Sequence, residues 1–504
     1  MSKYVRNIVL VLALVLTQAF VAAQEVYNLK VGERNRDVNV RLLKEGLYLG
    51  QYDGLHCWAG VGEKDVKQVV LMDDNLVPQR SLVLPESSRY CDVLVGTMKD
   101  GRVALLLVDS ADEGHTMLYR SVVDLAAMMP AEGTQPMELT DSLPYGKGDH
   151  CFVWGAVSKN GEYVGRIVVV EYVALRQYSA RATLYNANLE TLWYKDYALA
   201  SLEHLTVSDE GLLVTMGCEN YYTDDGTRKD EKLETHVVFN IIGEHRAESY
   251  EVSLDGYPVR QLELAGLVGH KLMGVGTIEA SWSKSRRDNL TGGIVGLAFD
   301  VDSVSLTGVT MRPFLNEDLN ILFNEKTKKV QRFQEVDLAS VSAVATTGYG
   351  AVLAVGRNWR ADIVENNGEI TRTHNRMGLN ITAVDTNGNI RWIRNVRRYD
   401  IEKDDELMLT IGLMSNGDTV ELLKKENTRT PVIYDVSRNV KPLIMGSKAN
   451  TALYRISPEG NVSKVLIEQR KPYGLLRCIQ RPEGGMLLVD YDGRSAVMKE
   501  IGRQ

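Results

Sequence analysis

Histidine and cysteine sit side by side, next to an aromatic residue, at two places in the chain. "GLHCWAG" holds His56, Cys57 and Trp58, and "GDHCFVWGA" holds Asp149, His150 and Cys151. Imidazole and thiolate are zinc ligands, and a structural zinc site takes four of them. Two His–Cys pairs meeting across a channel would supply a His2Cys2 set. The simpler expectation is a repeated structural feature, with cysteine inward and histidine at a rim. Oxygen donors gather around glycine at "DTNGN" (Asp385–Asn389) and "YTDDGTRKDE" (Tyr222–Glu231). Neither is a twelve-position loop ending in glutamate. Asp385 and Asn387 are therefore candidate turn or ion positions, with self-capping of the turn as the first expectation. No cofactor is expected, and calcium is the ion these two loops would suit.

Nucleophilic and phosphate-binding signatures are missing. There is no GxSxG elbow, no HExxH, and no Walker or Rossmann glycine pattern. Paired carboxylates facing each other would hydrolyse a glycan, but 66 acidic residues single out no pair. Catalytic residues are thus not identifiable from the sequence.

The elements that would carry these groups are short and extended. "VALLLVDS", "RIVVVEYVAL", "ARATLYNANL", "THVVFNII", "GIVGLAFDVD", "AVLAVGRN" and "GMLLVDYDG" are β-branched or aromatic runs bounded by Gly, Asn, Asp or Pro. With 43 glycines against 12 prolines, tight turns in the left-handed region are expected. Three stretches carry weaker helical character: Ser121–Met129, Arg312–Phe323 and Asp337–Thr346, the last readable equally as a strand. No strand–helix–strand rhythm appears, which excludes a parallel α/β sheet.

A turn followed by a bulky strand recurs at Met72, Leu118, Asn186, Asn240, Asn324, Asp385 and Ser457. The interval averages roughly 65 residues. Each cycle holds about four strand-like runs, and a four-stranded antiparallel sheet cannot bury both faces alone; radial stacking buries them against one another. The expected fold is all-β: a β-propeller of about seven mostly four-stranded antiparallel blades, spanning 24–504 as a single domain. Trp193 and Trp392 follow their turns at matching distances, as wedges between neighbouring sheets would. The N-terminal strand near Glu25–Val31 is expected to pair with the last blade and close the ring. The architectural rival, two β-sandwiches, would place its linker near Glu279–Gly293, where no Pro/Ser-rich tether exists.

Three stretches read as long surface loops: Glu219–His236, Glu279–Gly293 and Ala361–Leu379. Tyr221, Tyr222, Trp282 and Trp359, in or beside them, are the candidate partner-binding residues.

Lys3 and Arg6 precede an apolar run from Ile8 to Leu16, with Val21 and Ala23 at small-residue cleavage positions. Residues 1–23 therefore read as a secretory signal peptide, and the remainder as periplasmic or extracellular rather than integral to the membrane. The formal charge of −8 becomes more acidic without those two cations. An acidic chain with dispersed bases is a poor partner for nucleic acid. Cys57, Cys91, Cys151, Cys218 and Cys478 are too few and too scattered for a disulfide scaffold; buried thiols are expected, with room for one bridge.

Over Thr310 to Asn427 the chain resembles uncharacterised secreted β-propeller-like proteins of Bacteroidota. The resemblance rests on Gly348–Gly350, Val352 and Val355, then Ile381, Asp385, Gly388, Ile390 and Trp392, preceded by "TMRPFLNEDLNILFNE". It implies the propeller fold and export, and brings no catalytic residue; Arg357 departs from the family's acidic or polar position. Three functions fit these readings. The first is a non-catalytic binding or scaffolding module of the cell envelope that recognises protein or glycan. The others are a carbohydrate-active hydrolase or lyase using carboxylates at a channel mouth, and a structural component of a surface assembly.

Overall fold

The computed structural model describes residues 27–503, apart from 63–64, 85–90, 113–114, 132–136, 139–148, 174–176, 198–203, 224–231, 255–258, 279–291, 323–338, 365–369, 404–410, 432, 438–439, 445–446, 472–473, 482–484 and 493. Its strands form eight separate sheets, each a run of neighbouring antiparallel strands. Blade 1 comprises Leu47–Tyr52, Leu55–Val61, Lys67–Met72 and Pro78–Val83. Blade 2 comprises Cys91–Lys99, Arg102–Asp112 and His115–Asp124, edged by the short Met129–Pro130 and Met137–Glu138. Blade 3 is His150–Val157, Tyr163–Tyr172, Gln177–Asn186 and Thr191–Tyr197; blade 4 is His204–Val207, Leu213–Thr223, Lys232–Ile242 and Ala247–Leu254. Blade 5 is Val259–Val268, Lys271–Ile278, Gly293–Asp300 and Ser305–Pro313. Blade 6 is Ala339–Thr347, Gly350–Val364, Ile370–Asp385 and Ile390–Lys403, with Leu443–Ile444 added in parallel at its outer edge. Blade 7 is Ile411–Asn416, Thr419–Asn427, Ala449–Ile456 and Val462–Lys471. Blade 8 joins the two ends of the chain: Gly474–Gln480, Met486–Tyr491 and Ala496–Arg503 take Tyr27–Val31 as their outer strand.

The chain is an eight-bladed β-propeller. Each interface between neighbouring blades holds its own apolar cluster. Leu105 and Val69 lie between blades 1 and 2, Val95 and Val168 between 2 and 3, and Ile167 and Leu213 between 3 and 4. Phe239 stacks on Phe299 at 4.2 Å between blades 4 and 5. The sequence continues with Val275 and Leu353, Ile381 and Leu422, and Leu423 and Leu488, and the ring closes with Trp58 and Leu487 between blades 8 and 1. A two-sandwich arrangement would have one core between facing sheets; eight interfacial cores exclude it.

The cadence of about seven becomes eight for two reasons. The outer turn of blade 5, Val301–Val304, carries neither glycine nor asparagine, its backbone donors being taken by Asp300 instead. Blade 8 is split between the termini and gives no continuous repeat. The Asn324 turn lies outside the described residues.

Trp392 is 6 % exposed, packs in the cluster between blades 6 and 7, and donates from Nε1 to the Pro458 carbonyl at 3.1 Å. Gly460, in the left-handed region at φ 82°, lies flat against that indole; a Cβ there would come within 2.8 Å of the ring. Trp193 is half-buried in the cluster between blades 3 and 4.

Of the three helical stretches, one is partly borne out: Asn316–Leu322 is a helix following the strand Ser305–Pro313. Its first turn is held by Asp318, which accepts from the Leu315 backbone and from Asn380 and Asn395 and pairs with Arg312. Asp337–Thr346 takes its strand alternative, Ala339–Thr347. Ser121–Met129 is not helical. Ser121–Asp124 ends a strand whose Val122 and Val123 pair with Ala104 and Val103, the β-branched side chains filling opposite faces of the sheet. A helix that was not expected, Val40–Glu45, is capped by Asn39 and wedges Leu42 and Leu43 between blades 8 and 1.

Strand direction gives the ring two unlike sides. On one, consecutive strands meet in tight turns such as Ser158–Gly161, Ser208–Gly211, Asp385–Gly388 and Ser457–Gly460. On the other lie the hairpin ends of blades 4, 5, 6 and 7 and the connections between blades, which span far longer segments.

Candidate functional site

The loop-bearing side is where blade 3 exposes aromatic surface. Its innermost strand begins His150–Cys151–Phe152–Val153–Trp154. Alternation sends Cys151 and Val153 into the cluster shared with blade 2 and Trp154 into that shared with blade 4. His150, Phe152 and Trp154 consequently form a ladder on one side, with ring centroids 6.3 and 5.9 Å apart. The register adds two further residues: His150 stands opposite Glu171, and Glu171 opposite Tyr178. The Tyr178 hydroxyl donates to Glu171 Oε1 at 3.0 Å. Beneath them Ala180 and Ala182 leave room for the larger rings, and Tyr197 completes the wall, its hydroxyl buried without a hydrogen-bond partner. Burial pushes that phenol well above its ordinary pKa.

In blade 4 the described part of the innermost strand is His204–Val207, and counting back from the equivalent turns at Ser158 and Ser208 sets His204 level with Trp154. Phe152 is 44 % and Tyr178 50 % exposed. Alongside, the innermost strands of blades 4 to 6 are linked by polar side chains. The His204 Nε2 lies 2.7 Å from the Leu262 carbonyl and 3.9 Å from a Glu263 oxygen. Gln261 donates to Glu263 at 2.7 Å and accepts from the Val341 backbone at 3.1 Å. Rings with open faces beside carboxylates already held by donors suit a ligand with apolar faces and hydroxyl edges.

A shallow cleft between blades 6 and 7, lined by Arg397, Tyr434, Tyr454 and Lys464, is a weaker candidate, because the protein's own groups take up these side chains. Lys464 donates to the Pro431 carbonyl and pairs with Glu426, Tyr454 donates to Glu426, and Arg397 donates to the Val436 and Asn320 carbonyls.

The residues singled out by sequence fall as follows. Asp385 Oδ1 accepts from the Asn387 and Asn389 backbones, so it caps its own turn. Tyr221 and Tyr222 are in a strand of blade 4, opposite Glu234 and Leu233. Trp359 is in a strand of blade 6, opposite Asn375. The loops expected at Glu219–His236 and Ala361–Leu379 are thus mostly long hairpins, where cross-strand pairing takes up the backbone that a loop would leave to water; Trp282 lies outside the described residues. The two His–Cys pairs belong to different strand positions in blades 1 and 3, and do not form a His2Cys2 set. Cys57 and Cys478 are free thiols, which burial pushes up to about 12. Phe152, Glu171, Tyr178, His204 and Glu263 were not among the expected site residues. The one available signal was the His–x–Phe–x–Trp alternation, which places three rings on one side of any strand.

No family model matches the chain, and no curated protein does. Solved structures align at low similarity. Prolyl oligopeptidase B from Galerina marginata aligns over 93 % of this chain and 55 % of its own length, with a TM-score of 0.36 and 9 % identity. This chain thus spans little over half of that protein. The Dos1 propeller aligns over 94 % and 95 %, with a TM-score of 0.30 and 9 % identity. A Bacteroides caccae protein of unknown function aligns over 67 % and 93 %, with a TM-score of 0.26 and 10 % identity.

Proposed function

We propose that this propeller is a non-catalytic binding module of the bacterial cell envelope and that its ligand is a glycan held on the aromatic wall of blade 3. The observation that carries this reading is the row His150, Phe152, Glu171 and Tyr178 across the first three strands at the loop-bearing end of blade 3, with Phe152 and Tyr178 exposed and Glu171 half-buried. An aromatic face accepts the C–H face of a sugar ring, while Glu171 and Glu263 accept its hydroxyls. A protein partner is the second reading, because Val173, Leu192 and Tyr194, in or beside blade 3, are exposed as well. Export through residues 1–23 would place the module outside the cytoplasm, where such ligands are met.

A glycan array probed with the full mature chain tests the reading. Phe152→Ala and Tyr178→Ala should each weaken a detected ligand by about 2 kcal/mol, roughly 30-fold, with little change in thermal unfolding since both rings are exposed. Binding that survives both substitutions would refute the site. Sugar release from a bound ligand would replace binding by hydrolysis.

A further inference from the structure

On the tight-turn side, where blade 8 meets blade 1, three side chains from segments remote in sequence converge. His56 comes from the second strand of blade 1, Asp74 from the turn between its third and fourth strands, and Glu500 from the third strand of blade 8. One ligand atom from each lies within 4.8 Å of the other two, and this is the one such group among the described residues. The geometry points to a zinc-class divalent metal site at His56, Asp74 and Glu500 that fastens the seam of the ring.

The separations are within reach of a tetrahedral metal site. In a tetrahedral zinc site, bond lengths near 2.0–2.1 Å set neighbouring donor atoms about 3.3 Å apart. Here His56 Nε2 lies 3.2 Å from Asp74 Oδ1 and 3.8 Å from Glu500 Oε1. The imidazole is wholly buried, and its other nitrogen faces the Tyr48 hydroxyl at 3.1 Å. A partner on the far nitrogen is what orients a ligating histidine. The Gln51 amide nitrogen lies 3.3 Å from both Nε2 and Glu500 while its oxygen accepts from Arg481, so a water would furnish the fourth position.

Two cations already balance the carboxylates. Lys30, on the N-terminal strand, pairs with Asp74, and Arg481 lies 3.2 Å from Glu500. Lys30 is 59 % exposed and free to swing into solvent. Metal binding therefore competes with the Lys30 ammonium, and this competition gives the site a distinctive signature. Removing an exposed ion-pair partner worth up to about 1 kcal/mol should tighten metal binding about two- to five-fold.

The test is equilibrium dialysis of the full mature chain against zinc chloride, with metal analysis and thermal unfolding in parallel. One zinc per chain is expected, with a raised melting temperature. Asp74→Ala, in a partly exposed turn, should retain the fold, weaken zinc at least tenfold and abolish the zinc-dependent rise; Glu500→Gln should act likewise. Lys30→Gln should tighten binding. Failure of the native chain to retain zinc, equal retention by Asp74→Ala and Glu500→Gln, or unchanged or weaker binding in Lys30→Gln would each overturn the assignment. None of these outcomes bears on the glycan site, which lies on the opposite side of the ring.

Discussion

Trp392→Ala tests the idea that the ring is held by wedges between its blades. A tryptophan hides on the order of 200 Å² of surface, and at about 25 cal/mol per Å² its burial contributes about 5 kcal/mol gross. The methyl group of alanine retains part of this, and a compact unfolded chain already hides some of the ring. Against that, the Pro458 carbonyl loses its indole donor, and the void opens against Gly460, which brings no side chain to fill it. The expected loss is about 3–5 kcal/mol, the range for large aromatic truncations in a core. Urea unfolding monitored by far-UV circular dichroism would give the free energy. Amide exchange would give the location, with protection lost first in blade 7 strands that pack on the ring, such as Thr419–Asn427. Gly460→Ala should mimic part of the effect, because it combines a left-handed backbone with a Cβ 2.8 Å from the indole. A loss below about 1 kcal/mol in Trp392→Ala, or exchange changes spread evenly over all blades, would refute wedge packing as the source of cohesion.

Three other perturbations have definite expected outcomes. Asp490→Ala should cost about 3–5 kcal/mol by chemical denaturation, since it strands the buried Lys425 and leaves the buried Lys499 with Glu468 alone. Deleting residues 24–31 should lower and broaden the thermal transition and promote association, because the edge of Ala496–Arg503 loses its partner. Lowering the pH from 7 to 5 should destabilise the native chain more than a His56→Gln variant. Burial holds the folded His56 below its ordinary 6.5, so the unfolded chain binds more protons in that window, and stability present above 6.5 falls as the folded pKa is approached.

The architecture was legible because its grammar is local. Strand runs, polar turns and wedge tryptophans at Trp193 and Trp392 each leave a mark within a dozen residues, and so does the N-terminal stretch near Glu25–Val31 that anticipated the closing strand. Blade 5 escaped because Asp300 does the work of glycine or asparagine in its outer turn. The buried ions of blade 7 escaped for a different reason. "ELLKKEN" reads as a solvated face, yet Leu422, Lys424 and Glu426 turn towards blade 6 while Leu423 and Lys425 turn towards blade 8. A strand flanked on both sides buries its charges with its leucines, and only partners on other strands, Glu468 in the same blade and Asp490 and Lys499 in blade 8, show why this is tolerable. The aromatic wall of blade 3 was half visible in "HCFVW"; its carboxylate, Glu171, is set by register and has no local signature.

The two sides of the ring divide the labour in a way the topology dictates. Tight turns on one side must interlock with the next blade, as Gly388 does against the Gly308 carbonyl of blade 5 and Gly460 against Trp392 of blade 6. Substitution there is constrained by packing. The hairpin ends and blade connections lie on the other side, and loops there can change in length and composition with less effect on a core. The aromatic row of blade 3 stands on that side, where the rings of Phe152 and Tyr178 are open to solvent and can be substituted without emptying an interfacial cluster.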